Sequence, residues 1–157
     1  MKRVRIKRKA PIKRSKSPRK RRKVPTRTSQ RKKADKLFSE LIRRKYADKD
    51  GNVQCFTCGY TNHWKKLQNG HLVSRYYTAT RYDERNCRPQ CYTCNMWRNG
   101  MTPDFAANLQ KELGAGIVEE LYRIARTSIT PEFDYEAIIA ATENALTTLQ
   151  EQTINLE

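Results

Sequence analysis

The chain has 157 residues and a formal net charge of +17, room for one ordinary domain plus a tail. No apolar stretch is long enough to cross a bilayer, and the first residues lack the apolar segment of a secretion signal. A membrane-spanning or secreted protein is thereby excluded as a reading, and a cytoplasmic location is expected.

The charge falls along the chain. Residues 1–33 hold 18 Lys or Arg and no acid; residues 34–100 carry a net +6 and residues 101–157 a net −7. The first stretch, MKRVRIKRKAPIKRSKSPRKRRKVPTRTSQRKK, has little apolar surface to offset its ordering entropy, so a disordered basic arm is expected. Such a run meets a polyanion, and each neutralised phosphate of duplex DNA contributes a log–log salt slope of about −0.9. Arg21, Arg22 and Lys23 are taken as contact residues within it. A sequence-blind solubility or targeting tail is the alternative.

A helix is predicted from near Lys33, because Leu37, Phe38, Leu41, Ile42 and Tyr46 recur at three- and four-residue steps. The turn residues DKDGN (48–52) end it. The block from Val53 to Met101 is too broken by turn residues for long helices and reads as short strands and loops. Within it stand Cys55-x-x-Cys58 and Cys91-x-x-Cys94. A two-residue gap lets one tight turn present both sulfurs to one ion, and two such pairs make a tetrahedral four-thiolate Zn²⁺ site. Cys87 has no such partner and reads as a small buried residue. His63 is an alternative ligand or a solvated loop histidine. Tyr76, Tyr77 and Trp97 read as core aromatics, with base-stacking platforms the alternative.

Beyond the cysteines the pattern is helical. Thr102-Pro103 reads as a capping hydroxyl followed by Pro at the first helical position, with Phe105, Leu109 and Leu113 on one face until Gly114. Gly116 opens a second helix with Ile117, Leu121 and Ile124. Thr130-Pro131 and Asp134 offer a third start, followed by Tyr135, Ile138, Ile139, Thr142, Leu146 and Leu149 along one side. These helices are packing elements or a partner surface.

Taken together, CFTC…NGHLVSR…ERNCRPQCYTCNMWRNG resembles the HNH, or ββα-metal, nucleases. Within that group it is most similar to the lambdoid-phage NinG (Rap) recombination family, and its layout is similar to phage endonuclease VII. The resemblance implies that His71 is the general base on a strand and that Asn95 ligates a catalytic Mg²⁺ or Mn²⁺. It further implies that Asn86 braces the loop and orients the base, and that Arg98 lies near the phosphate. Many HNH nucleases carry a second metal ligand just before the base, where this chain has Gly70. Asn69, Asp83 or Glu84 is expected to replace it, Asp83 being preferred. Arg75, Arg81, Arg85 and Arg88 are expected to form a phosphate-contacting rim.

A neutral imidazole can take a water's proton at neutral pH, and a hard divalent ion suits a carboxamide oxygen. The expectation is therefore an α+β protein: a small zinc-clamped ββα-metal core (34–101) with its leading helix, the disordered arm (1–33) and C-terminal helices (102–157). Its expected function is a metal-dependent endonuclease of phage recombination. It would act as a homodimer on branched DNA such as Holliday junctions or D-loops in the host bacterium, with phage or host recombination proteins as partners. The alternatives are a zinc-ribbon nucleic-acid binder without catalysis and a general HNH nicking enzyme.

Overall fold

The computed structural model describes residues 24–126 and 132–154. Residues 1–23, with Arg21, Arg22 and Lys23, and the helix start expected at Thr130-Pro131 lie outside the described residues.

Helix α1 spans Arg27–Lys45 and begins well before Lys33. Thr26 starts it: its backbone is extended and its Oγ1 accepts the Ser29 N–H at 3.2 Å, satisfying a donor of the first turn. The last part of the basic stretch is therefore helical, a correction to the expected arm boundary. The reason is tertiary. Helix α4, Tyr135–Ile154, lies against it: Lys33 pairs with Glu143 at 2.8 Å, Gln30 bonds Glu136 at 2.8 Å, and Arg27 sits over the Tyr135 ring.

After α1, Asp48 accepts the N–H groups of Asp50 and Asn52 and turns the chain. Strands β1 (Asn52–Gln54) and β2 (Thr61–His63) pair antiparallel, with Asn52 opposite His63. Strands β3 (Gln68–His71) and β4 (Cys87–Gln90) make a second antiparallel pair, with His71 opposite Cys87 and Gly70 opposite Arg88. A single π-helical turn, Thr93–Trp97, follows β4.

Helices α2 (Thr102–Leu113) and α3 (Ile117–Arg126) come next. Thr102 does not cap α2. Asn99, Gly100 and Met101 all have positive φ, so Met101 is the last non-helical residue and Thr102 is already in the helix. Asp134 does cap α4, accepting from the N–H groups of Glu136 and Ala137 at 3.0 Å each. No helix among the described residues is long and apolar enough to cross a membrane.

The apolar interior is divided. Leu72 and Val73, just after β3, pack with Phe105, Leu109, Ile117 and Leu121 of α2 and α3. Val53, Leu67 and three cysteines form a second cluster. Ala34 meets Tyr135 and Ile139 between α1 and α4, so the α4 stripe is covered within the chain. Phe38 and Ile42 of α1 cover Cys87, which is buried as expected.

Helix α1 is tied to the loop after β3 by one polar knot. Arg81 donates to both Asp35 oxygens, at 2.8 and 2.6 Å, and the Tyr82 hydroxyl donates to Asp35 Oδ1 at 2.8 Å. Burial alone would raise the Asp35 carboxyl; the Arg81 and Tyr82 hydrogen bonds and the nearby guanidinium charges outweigh it and hold the pKa below its ordinary value. Its contribution to stability is complete above the unfolded pKa of about 3.9 and is lost as pH falls through the folded value. Asp35→Asn is expected to cost about 1–2 kcal/mol at pH 7. Urea titrations at several pH values should show that difference constant between about pH 6 and 7 and shrinking below about pH 4.

Candidate functional site

Cys55 leaves β1 and Cys58 lies in the turn toward β2, where the Gly59 N–H bonds the Cys55 carbonyl at 2.9 Å. Cys91 follows β4 directly and Cys94 lies in the π-helical turn. The Phe56 N–H donates to the Pro89 carbonyl at 2.8 Å, joining the first ribbon to β4. The four sulfurs lie within 4.8 Å of one another. Cys58 Sγ and Cys91 Sγ are 3.8 Å apart, and the edge of a tetrahedral thiolate site with Zn–S of about 2.3 Å is about 3.8 Å.

The donor set fits the metal in its charge as well. Burial would raise the Cys55 thiol, but the Thr57 hydroxyl and several backbone N–H groups bring it down to about 6. Cys58 and Cys94 are held up, by burial first and by their neighbouring sulfurs. One readily ionised thiol beside two that resist ionisation is an arrangement a divalent cation resolves. The four cysteines are thus positioned to hold a metal ion, and all-sulfur tetrahedral ligation suits Zn²⁺.

His63 lies outside this cluster. It is on β2 rather than in a solvated loop; its Nδ1 accepts the Lys65 N–H at 3.2 Å and its ring lies against Trp64. Cys87 is not a fifth ligand: it is not one of the four clustered sulfurs and is packed under Phe38 and Ile42.

His71 ends β3. It shares a cleft of about 470 Å³ with Asn69, Arg75, Asn95 and Met96. The His71 Nε2 lies 3.3 Å from the Arg81 carbonyl oxygen. A carbonyl can only accept, so in this contact Nε2 donates. Burial, then the charges of Arg75 and Arg81, lower the His71 pKa against the opposing pull of backbone hydrogen bonds with Arg81 and Asn69. Asn95 donates its Nδ2 to Gln68 Oε1 at 2.7 Å, and its oxygen has no part in that bond. Asn69 Oδ1 is buried and has no hydrogen-bond partner among the described residues.

Asn86 is fully buried and spans the loop. Its Oδ1 accepts the Val73 N–H at 2.8 Å, and its Nδ2 donates to the Val73 and Thr80 carbonyls at 2.9 and 3.0 Å. Its own carbonyl accepts the Leu72 N–H at 3.0 Å. Val73, two residues after His71, and the loop leading to Arg81 are thereby held by one side chain, and Leu72 by the same residue's backbone.

Gly70 is required where it stands. A Cβ there would lie 2.1 Å from Gln90 Oε1 and 2.7 Å from Gln90 Cδ. Gln90 cannot easily retreat, because its Nε2 donates to Thr57 Oγ1 at 3.2 Å and to the Gly100 carbonyl at 2.8 Å. The position where a ligand was sought is filled by a neighbour.

Several expected rim residues are placed otherwise. Arg88 is 2% exposed, so it cannot face a phosphate. It donates to both Glu112 oxygens at 2.9 and 2.8 Å and to the Glu84 and Cys87 carbonyls, with the Tyr46 and Phe56 rings beside it. Arg81 is held by Asp35. Arg85 bridges Asp83 and Glu120 at 2.8 Å each. Asp83 therefore faces Arg85, caps the turn that follows it and does not line the cleft. Glu84 pairs with Lys45. Arg75 and Arg98 remain exposed, and Arg75 lines the cleft.

Tyr76, Tyr77 and Trp97 are exposed rather than buried, because the interior beside them is already filled by Leu72, Val73 and α2. Sequence reasoning passed over Asp35, which lines a smaller hollow with His71. The readable hint was its place three residues before Phe38, on the core-facing side of α1.

Two antiparallel ribbons joined by four clustered cysteines and wrapped by helices define a small α+β protein built around a metal-ligand site. The sequence profile of the family described as Bacteriophage Lambda NinG protein matches residues 1–152. The chain belongs to that family. No curated protein and no solved structure matches it.

Atomic emission on the purified protein is expected to find one zinc per chain, and Cys91→Ser should lose both the metal and the cooperative unfolding transition. Gly70→Ala is expected to destabilise by about 1–3 kcal/mol in urea, as overpacking does. In a double mutant with Gln90→Ala most of that steric loss should disappear relative to Gln90→Ala alone.

Proposed function

We propose that this protein is a metal-dependent endonuclease of the HNH type that cuts branched DNA during phage recombination. The observation that carries the reading is the shared cleft: His71, Asn95 with its carboxamide, and Asn69, whose Oδ1 is buried without a hydrogen-bond partner among the described residues, all line it. Asn95 and Asn69 would hold a Mg²⁺ or Mn²⁺, with Asn69 in the part first sought from Asp83. That ion supplies Lewis-acid stabilisation of the phosphate and of the leaving 3′ oxygen.

The chain's own residues do the rest. His71 takes the proton of the attacking water on its unprotonated ring nitrogen, and the water oxygen bonds to phosphorus as the 3′ oxygen leaves and takes a proton from solvent, so a 5′-phosphate and a 3′-hydroxyl result. Asn86 and the Arg81 carbonyl fix the imidazole's place. Arg75 and Arg98 offer cationic contacts to the phosphates on either side, and the basic residues 1–23 add sequence-blind attraction. Cutting both strands of a four-way junction needs two sites, hence a homodimer. Recombination proteins of phage or host would supply the substrate.

One observation favours a second reading, a zinc-clamped nucleic-acid binder without catalysis. Gln90 fills the place beside Gly70 where HNH nucleases often carry a metal ligand. The two are separated by incubating a synthetic four-way junction with Mg²⁺ or Mn²⁺. Wild-type protein is expected to cut it, and His71→Ala to cut at least about 100-fold more slowly with its zinc content unchanged. Tight binding with no metal-dependent product from either protein would leave the binder. Equal cutting by both would remove His71 from the base role.

A further inference from the structure

The two segments that line the cleft each continue into exposed aromatic side chains. Arg75 is followed by Tyr76 and Tyr77, and Met96 by Trp97. Tyr76 is 84% exposed and Trp97 76%, and Tyr77 and Met96 are also open to solvent. The chain's other tryptophan shows what an internal role looks like here: Arg43, Arg44 and Lys65 all lie within 5.5 Å of the Trp64 ring centre. No cation or ring is placed over Trp97 among the described residues, and Tyr76 meets only Tyr77, edge to face at 5.8 Å. Four large side chains held in water beside one cleft need a partner to cover them.

The charge around them says which partner. Residues 71–82 contain Arg75 and Arg81 and no acid, and residues 91–103 contain Arg98 and no acid. With Arg81 held by Asp35, the flat rings lie beside the exposed Arg75 and Arg98 guanidinium groups, which fits unpaired nucleobases, whose faces stack on aromatics while the cations hold the adjoining phosphates. A stacked duplex hides those faces; a branch point, gap or single strand offers them. We infer that Tyr76 and Trp97 form a stacking platform for unpaired bases at the mouth of the His71 cleft, which selects strands that have left the duplex. This deepens the endonuclease reading and rests on it for the identity of the cleft, but the platform can be tested by binding alone.

The test uses the full chain without added Mg²⁺ or Mn²⁺, so that no cutting intrudes. Indole emission of Trp97 is read in a Trp64→Phe background. A single-stranded oligonucleotide and the same sequence as blunt duplex are titrated at fixed salt. Quenching by the single strand but not by the duplex is expected. Tyr76→Ala and Trp97→Ala should each weaken single-strand binding about tenfold and duplex binding less than about twofold. Trp97→Phe should restore most of the loss, because a ring remains. Both side chains are solvent-exposed, and circular dichroism and zinc content are expected to stay unchanged.

Equal losses on both nucleic acids, or none, would overturn the platform. So would a fall in sedimentation mass in the alanine variants with affinity intact, since the patch would then join copies of this chain. If stacking holds but no substrate is cut with any divalent metal, the endonuclease reading fails and the platform stands. If His71-dependent cutting is seen with no stacking effect, the platform fails and the endonuclease reading stands.

Discussion

The cysteine cluster is the constraint on which the rest of the structure depends. Its four sulfurs come from the two ends of a long central block: one pair from the turn between β1 and β2, the other from the junction of β4 and the π-helical turn. No single apolar cluster is large enough to hold that block, since the buried residues are divided among four groups. A metal bridging the pairs closes the loop between them and sets the distance from β3, which carries His71, to the turn that carries Asn95.

What the clamp does in the large, buried polar side chains do in detail. Asn86, Gln90 and Arg88 are all almost fully enclosed. Asn86 fixes the backbone just after His71, Gln90 fixes Gly70 against the turn at Gly100, and Arg88 ties β4 to α2 through Glu112. Each is costly to bury, and the two that are fully bonded favour one arrangement strongly over its neighbours. Among the described residues Gln90 Oε1 and Asn69 Oδ1 are buried without partners; Asn69 lines the cleft and Gln90 lies against Gly70.

The metal-ligand site was legible in the sequence because its signal is local: two cysteine pairs, each at two-residue spacing, need no tertiary knowledge. The helices were legible from their apolar period, although α1 began earlier because α4 supplies partners for Lys33 and Gln30 that are distant in sequence. Arg88 and Arg98 look alike as letters; Glu112, on a helix far along the chain, makes one internal and leaves the other in water. Asp83 looked like a free carboxylate until Arg85, two residues on, turned back to bind it. Gly70 could not be read at all without Gln90, its diagonal neighbour across the ribbon. What sequence conceals here is pairing between residues far apart, and buried polar side chains are decided by such pairs.

The charge gradient also acquires a different sense in three dimensions. Read linearly, a basic head and an acidic tail suggest opposed surfaces, one attracted to DNA and one repelled. In the fold the acids of α4 and of the segment just before it meet the start of α1: Glu143 takes Lys33, Glu132 takes Arg27, and Gln30 bonds Glu136. Part of the acidity is therefore answered within the chain, and salt would loosen this exposed helix pair. From that pair α1 leads through Asp35 and Arg81 to His71. The path from the start of α1 to the cleft thus runs along one helix. A polyanion at the start of α1 would compete for Arg27 and Lys33 with the same acids that hold α4 in place.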